Sequence, residues 1–266
     1  KFENLKVLKF DGSEFLTEIR DVSDLPNLEE LSFDRCGNLI TVHPSIGFLN
    51  KLKILNAEAC SKLITFPPLN LTSLERLNLS KCFSLENFPE ILGEMKNLLE
   101  LQLANLSLKE LPVSFQNLVG LESLFLLNCG IGYLPSSIVV MPKLSLFKAI
   151  SCKGWQWVKS AEGEEKVGTT VPSNVYDFRA NHCNLYDDFF STAFSQLDRV
   201  ETLCLRNNYF ICLPESIAKL QFLRRLDVSG CVHLQEIKGV PPNLKDFRAI
   251  ECISLSSSSS SMLLNQ

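Results

Sequence analysis

Ten cysteines are the residues of this 266-residue chain best equipped for chemistry, as thiolate nucleophiles, soft metal ligands or disulfide partners. Metal binding finds no support in their spacing. No Cys-x-x-Cys or His-x-x-x-His pair occurs, and the three histidines, His43, His182 and His233, lie far apart. The dense acidic spots, Asp187 with Asp188 and Glu162 with Glu164 and Glu165, have no histidine or basic residue placed as a catalytic partner, and read as solvated surface. A phosphate loop, a Rossmann glycine cluster and a nucleophile elbow are all missing from the sequence. The chain therefore predicts no catalytic residue, no metal site, no cofactor and no enzymatic activity.

The cysteines become intelligible once they are laid on a period. Apolar residues open a recurring pattern at Leu5, Leu28, Leu52, Leu74, Leu98, Leu121, Leu144, Val175, Val200, Leu223 and Leu244. Cys36, Cys60, Cys82, Cys129, Cys152, Cys183, Cys231 and Cys252 each fall eight residues after an opening residue, where Asn208 stands once and Ser13 and Leu106 fill the remaining copies. A residue there must be small, buried and able to make a weak polar contact, which suits Cys. Neighbours in such a ladder would lie about 4.8 Å apart, so distance alone leaves bridges open. A ladder of equivalent thiols suits a reducing compartment, and free thiols without disulfides are the expectation.

Steps between opening residues run from 21 to 25 apart from one of 31, between Leu144 and Val175. That period belongs to the leucine-rich class of solenoids. Offsets three and five after each opening residue are apolar while their neighbours alternate, as in Leu98, Leu101 and Leu103, which predicts a short strand with one buried face. The return limbs carry Pro89, Leu92, Met95, Leu98 and the equivalent Pro112, Phe115, Leu118, Leu121, with further copies from Pro135 and Pro214. A step of three suits a tight helical turn. The prediction is an α/β leucine-rich-repeat solenoid, a horseshoe of about eleven repeats, with a parallel sheet on the concave face and short helical turns on the convex face.

The solenoid is expected over 1–252, with an insertion loop at 153–173 that holds Trp155 and Trp157. Those tryptophans either plug a widened coil or offer a contact surface. From 253 to 266 the pattern dissolves into serine and reads as a flexible linker. The chain opens on Lys1 directly in the first repeat, and neither end carries the polar cap that solenoids need. It reads as a piece of something longer, aggregation-prone by itself.

With 26 basic and 30 acidic residues the chain offers no electrostatic footprint for nucleic acid. No apolar run is long enough to span a membrane, and the charged start is followed by no secretory h-region. The sequons at Asn70, Asn78 and Asn105 are then coincidences of the repeat. What remains is a binding surface on the concave side, at offsets two, four, six and seven. Polar residues dominate there, including Lys148, Arg179, Arg206, Asp227 and Arg248, but Phe125, Leu127, Leu146 and Ile150 occupy exposed positions in the sixth and seventh repeats. Contiguous apolar groups rimmed by charge mark a contact surface, unless the tryptophan loop covers them.

The copies LPNLEELSFDRCGNLITVHPSIGFLNKLKILN and SLERLNLSKCFSLENFPEILGEMKNL resemble the repeats of plant intracellular disease-resistance proteins of the TIR, nucleotide-binding, leucine-rich-repeat class. The stretches KGWQWVKSAEGEEKVG and GVPPNLKDFRAIECISLSSSSSSM resemble legume members in particular. The resemblance implies a repeat domain that follows a TIR domain and a nucleotide-binding switch and precedes a C-terminal β-rich domain. It would recognise pathogen effectors or the host proteins they modify, and help hold the switch at rest, in the cytoplasm with the nucleus as a second compartment. NAD cleavage and ATP/ADP binding would belong to parts outside this chain. Two other readings stand beside it: the ectodomain of a leucine-rich-repeat cell-surface receptor, and a stable protein-binding scaffold or inhibitor.

Overall fold

The computed structural model describes residues 2–132, 134–153 and 171–259. Their dominant element is one eleven-stranded parallel sheet. Its strands run in sequence order: Val7–Lys9, Glu30–Ser32, Ile54–Asn56, Arg76–Asn78, Glu100–Ala104, Ser123–Leu127, Leu146–Ile150, Asp177–Asn181, Thr202–Cys204, Arg225–Asp227 and Asp246–Arg248. Pairing never slips. Leu8 stands opposite Leu31, and Leu101, Leu124, Phe147, Phe178, Leu203, Leu226 and Phe247 form one continuous row. These are the offset-three positions, so apolar spacing and hydrogen-bond register coincide. Even the step of 31 leaves the ladder between Leu146–Ile150 and Asp177–Asn181 in register.

Leucines of successive coils form a single core running the length of the stack, with Leu28, Leu52, Leu98, Phe147, Phe178 and Leu223 fully buried. Strands sit about 4.8 Å apart while helical turns need more room, which puts the sheet on the inner side of the stack. The return limbs are less helical than the prolines suggest. Tight 3-10 turns occupy Pro44–Phe48, Val113–Asn117, Ser136–Val140 and Glu215–Lys219, and one α-helix spans Asp188–Ala193. The limb after Pro89 stays extended: Leu69 bridges Ile91, Leu92 donates its N–H to the Leu69 carbonyl, and Leu92 is 55% exposed while Ile91 is buried. Cross-coil pairing on the outer side has displaced the expected helical turn there.

Every coil leaves the sheet by the same backbone device. Gly12, Arg35, Ala59, Lys81, Asn105, Asn128, Ser151, His182, Asn207, Gly230 and Glu251, all at offset seven, have positive φ between 52° and 74°. Left-handed backbone strains residues that carry a Cβ. In the first ten coils it aims the N–H group at the next coil, as in Arg35 to the Glu58 carbonyl at 2.8 Å and Asn128 to Ile150 at 2.8 Å. Pairing between coils thus continues past the ends of the strands.

The serine run requires a correction. Residues 257–259 form a helical turn, Ser256 donates its N–H to the Gln235 carbonyl at 2.9 Å, and Ser259 is buried with its hydroxyl accepting from the Ile237 N–H at 3.0 Å. Ser45 does the same for Val22, and Ser114 for Ile91. A small hydroxyl can satisfy a backbone donor on the outer wall, so 253–259 completes the eleventh coil instead of beginning a linker. The rest of the expected linker, 260–266, lies outside the described residues, as do Trp155 and Trp157 of the insertion.

Candidate functional site

All ten cysteines are free thiols. The eight at offset eight share one bond: each Sγ reaches the offset-five carbonyl of the coil before, Cys36 to Phe10 at 3.1 Å, Cys60 to Phe33 at 3.1 Å, Cys82 to Ala57 at 3.1 Å, Cys129 to Leu103 at 3.1 Å and Cys231 to Leu205 at 3.2 Å. Cys152, Cys183 and Cys252 repeat it with Leu126, Ala149 and Val228. Burial pushes the Cys82 and Cys231 thiols up to about 12, and also raises Cys60. For Cys129, the neighbouring Cys152 thiol raises the value first and burial adds to it. Protonated thiols of this kind are poor nucleophiles. They act as hydrogen-bonding spacers.

Asn208 replaces the thiol in the ninth coil and does more. Its Nδ2 donates to the Ala180 carbonyl at 2.7 Å and to Leu205 at 2.9 Å, and its Oδ1 accepts from the N–H groups of Cys183 and Leu185 at 3.1 Å each. The turn it serves contains a second left-handed residue, Asn184, with φ 53°. Asp187, expected as solvated surface, uses Oδ1 to accept from the Ile211 and Cys212 N–H groups. Its carboxylate closes a coil. Glu162, Glu164 and Glu165 lie outside the described residues. Among the described residues, no group of three or more His, Cys, Asp or Glu could hold a metal ion.

The concave side is where polar and apolar side chains converge. The sheet places Phe125 opposite Lys148, Leu127 opposite Ile150, and Ser123 opposite Leu146, so Phe125, Leu127, Leu146 and Ile150 form one half-buried apolar patch across two strands. The row continues from Lys148 to Arg179, Cys204, Asp227 and Arg248. Arg179 grips Asp177 by two bonds of 2.8 Å, which raises the guanidinium's already high pKa, and Arg248 grips Asp246 at 3.1 and 3.0 Å. Arg206 lies 3.8 Å from Asp227. Around them is a hollow of about 150 Å³ with Cys204, 8% exposed, among its lining residues.

A larger hollow, about 820 Å³, spreads over the first six coils and touches the apolar patch only at Leu127. It is lined by Glu58, Asn56, Asn78, Lys81, Glu100 and Gln102 among others. Glu58 pairs with Lys81 at 2.7 Å and accepts from Asn78 at 3.0 Å. Just before the second strand, Glu29 sits between Lys53 at 2.8 Å and Lys6 at 2.9 Å, which hold its carboxyl down at about 2. Apolarity alone does not reveal this hollow in the sequence. The signal was the run of carboxamides at offset four, Asn56, Asn78 and Gln102. A second asparagine series was also missed: Asn27, Asn97, Asn174 and Asn243, one residue before the opening leucine or valine, each donate Nδ2 to a carbonyl of the preceding coil. The recurring Asn-Leu pair would have shown it.

Eleven coils with in-register parallel strands and an asparagine or cysteine ladder define a leucine-rich-repeat protein. The leucine-rich repeat domain of the type III effector XCV3220 (XopL) shares this fold, with a TM-score of 0.57 at 22% identity over 91% of this chain and 76% of that one. A family model described as "Disease resistance protein RPS4B-like, leucine-rich repeats" matches residues 70–262, and the chain belongs to that family. TMV resistance protein N of Nicotiana glutinosa is 28% identical over 94% of this chain and 26% of its own length. In Arabidopsis thaliana, disease resistance protein RPS4B is 29% identical over 95% of this chain and 20% of itself, and RPP2A is 41% identical over 48% and 10%. The chain thus spans about a quarter or less of these relatives. No helix of the described residues is long and apolar enough to cross a membrane.

Proposed function

We propose that this domain is the protein-recognition and autoregulatory module of an intracellular plant immune receptor of the TIR, nucleotide-binding, leucine-rich-repeat class. It binds a pathogen effector or a modified host protein on its concave face, and through the same fold restrains the nucleotide-binding switch of the parent protein. The observation that carries the reading is the half-buried patch of Phe125, Leu127, Leu146 and Ile150 beside Lys148, Arg179, Arg206, Asp227 and Arg248. An apolar centre with a charged rim is the anatomy of a protein interface. Membership of the disease-resistance family supports the biological setting. The buried, protonated thiols favour a reducing compartment, the cytoplasm or nucleus, over the cell surface. Trp155 and Trp157 are assigned to the same partner as a loop contact.

Placing Phe125→Glu and Leu127→Glu together in the full-length parent tests this. Loss of effector response, or activation without effector, at unchanged protein abundance is the expected result. A wild-type response would overturn the concave patch as the contact site.

A further inference from the structure

The three positions of each coil that face out of the sheet, offsets two, four and six, sort their charges along the stack. In the first five coils they carry the carboxylates Asp11, Glu30, Asp34, Glu58 and Glu100 against two cations, Lys9 and Arg76. In the sixth coil they are Ser123, Phe125 and Leu127, with no charge at all. From the seventh coil onward they carry Lys148, Arg179, Arg206, Arg225 and Arg248 against three carboxylates, Asp177, Asp227 and Asp246. With Arg35 and Lys81 at offset seven counted, one end of the face keeps a slight acidic excess, the waist is apolar, and the other end is basic. Ion pairs occupy both ends: Lys9–Glu30, Arg35–Asp34 and Lys81–Glu58 leave Asp11 and Glu100 against Arg76 at the first, and Arg179–Asp177, Arg248–Asp246 and Arg206–Asp227 leave Lys148 and Arg225 at the second.

The backbone of the face narrows the form of the occupant. Each strand between the two edge strands spends its N–H and C=O groups on its two neighbours, so an extended peptide laid across the face would gain no main-chain bonds from them. A helix satisfies its own backbone and recognises through side chains alone. Strands about 4.8 Å apart make the distance from the second coil to the tenth about 38 Å, which a helix covers in about 25 residues at 1.5 Å each. Resting on the concave-face reading above, we propose that the occupant is a single amphipathic helix of a partner protein, of about that length. It bears basic residues at the end lying over the second to fifth coils, an apolar stripe over Phe125, Leu127, Leu146 and Ile150, and acidic residues at the end lying over the eighth to tenth. Charge complementarity of this kind sets orientation and encounter rate.

Synthetic helical peptides of about 25 residues test the zoning, with binding to the 266-residue chain measured by fluorescence anisotropy. One peptide carries a lysine block, a leucine stripe and a glutamate block; a second has the same composition with its charges scrambled; a third carries lysine at both ends. The first should bind about tenfold more tightly than the second, with affinity falling as salt rises. Arg179→Glu with Arg225→Glu should weaken the first by about tenfold and strengthen the third, a gain that misfolding cannot produce. Equal binding of the three, or loss of the third peptide in the variant, would overturn the zoned helix. If Phe125→Glu with Leu127→Glu still abolishes response in the parent, the concave contact survives that outcome; if the parent is unaffected, the contact itself falls.

Discussion

Asn208 is the one ladder position where a single side chain serves two coils in both directions, and removing it has a cost that can be worked from its bonds. It is 1% exposed, so no water replaces what it gives up. Asn208→Ala strands the N–H groups of Cys183 and Leu185, both fully buried residues, and deprives the Ala180 carbonyl of its donor. Two buried donors without acceptors cost about 1–3 kcal/mol each, giving a loss of about 2–6 kcal/mol from a domain stability of order 5–15 kcal/mol. Asn208→Cys is the sharper variant, because it installs the residue that eight other coils use. It keeps a donor toward Ala180 but offers nothing to the two N–H groups, since elsewhere the ladder cysteine's own N–H turns back on its coil, as Cys60 does to Ala57 at 3.3 Å. Asn208→Cys should therefore fall nearer to Asn208→Ala than to the wild type. Cys60→Ala, which gives up one weak bond to Phe33, should cost only about 1 kcal/mol. Urea denaturation followed by circular dichroism gives the ranking. An Asn208→Cys domain as stable as wild type would refute the argument, because the ladder would then need only a small donor at this position.

The thiols predict a pH dependence. Burial holds Cys82 and Cys231 up at about 12 in the folded chain, whereas unfolded thiols ionise near 8.5, so the unfolded state sheds its protons first and stability declines as pH rises through that value. Urea midpoints should be lower at pH 10 than at pH 7.5, with the slope reduced in Cys82→Ala and Cys231→Ala; equal midpoints would contradict the burial. Gly120 probes the contact between coils: a Cβ there would lie 2.1 Å from the Lys96 carbonyl oxygen and 2.5 Å from its carbon. Gly120→Ala should cost about 1–3 kcal/mol or more, while Gly37→Ala, where only Ser61 Oγ lies nearby at 3.6 Å, should stay within about 0.5 kcal/mol. Thermal unfolding of the pair separates crowding from a general intolerance of alanine.

The repeat and its register could be read from residue spacing because burial in a solenoid is local: a leucine at offset three faces the core wherever its coil lies. The same logic placed Phe125, Leu127, Leu146 and Ile150 on the sheet's open face and eight cysteines in one environment. Asp187 escaped that logic, since the N–H groups it closes belong to Ile211 and Cys212, more than twenty residues later. Leu92 escaped it too, because Leu69 competes for its backbone with the helical turn that Pro89 would otherwise start.

Period, strand order and core therefore belong to the sequence alone, as does the family to which the chain is related. Tertiary structure decided the bonds between coils: the left-handed column at offset seven, the reach of each thiol to the preceding carbonyl, the capture of Ser259 by the last coil, and the gathering of the 820 Å³ hollow from six separate strands. The physical reason is range. Apolar periodicity reports which way a side chain faces within its own coil, whereas a hydrogen-bond partner 23 residues away exists only after the next coil has stacked.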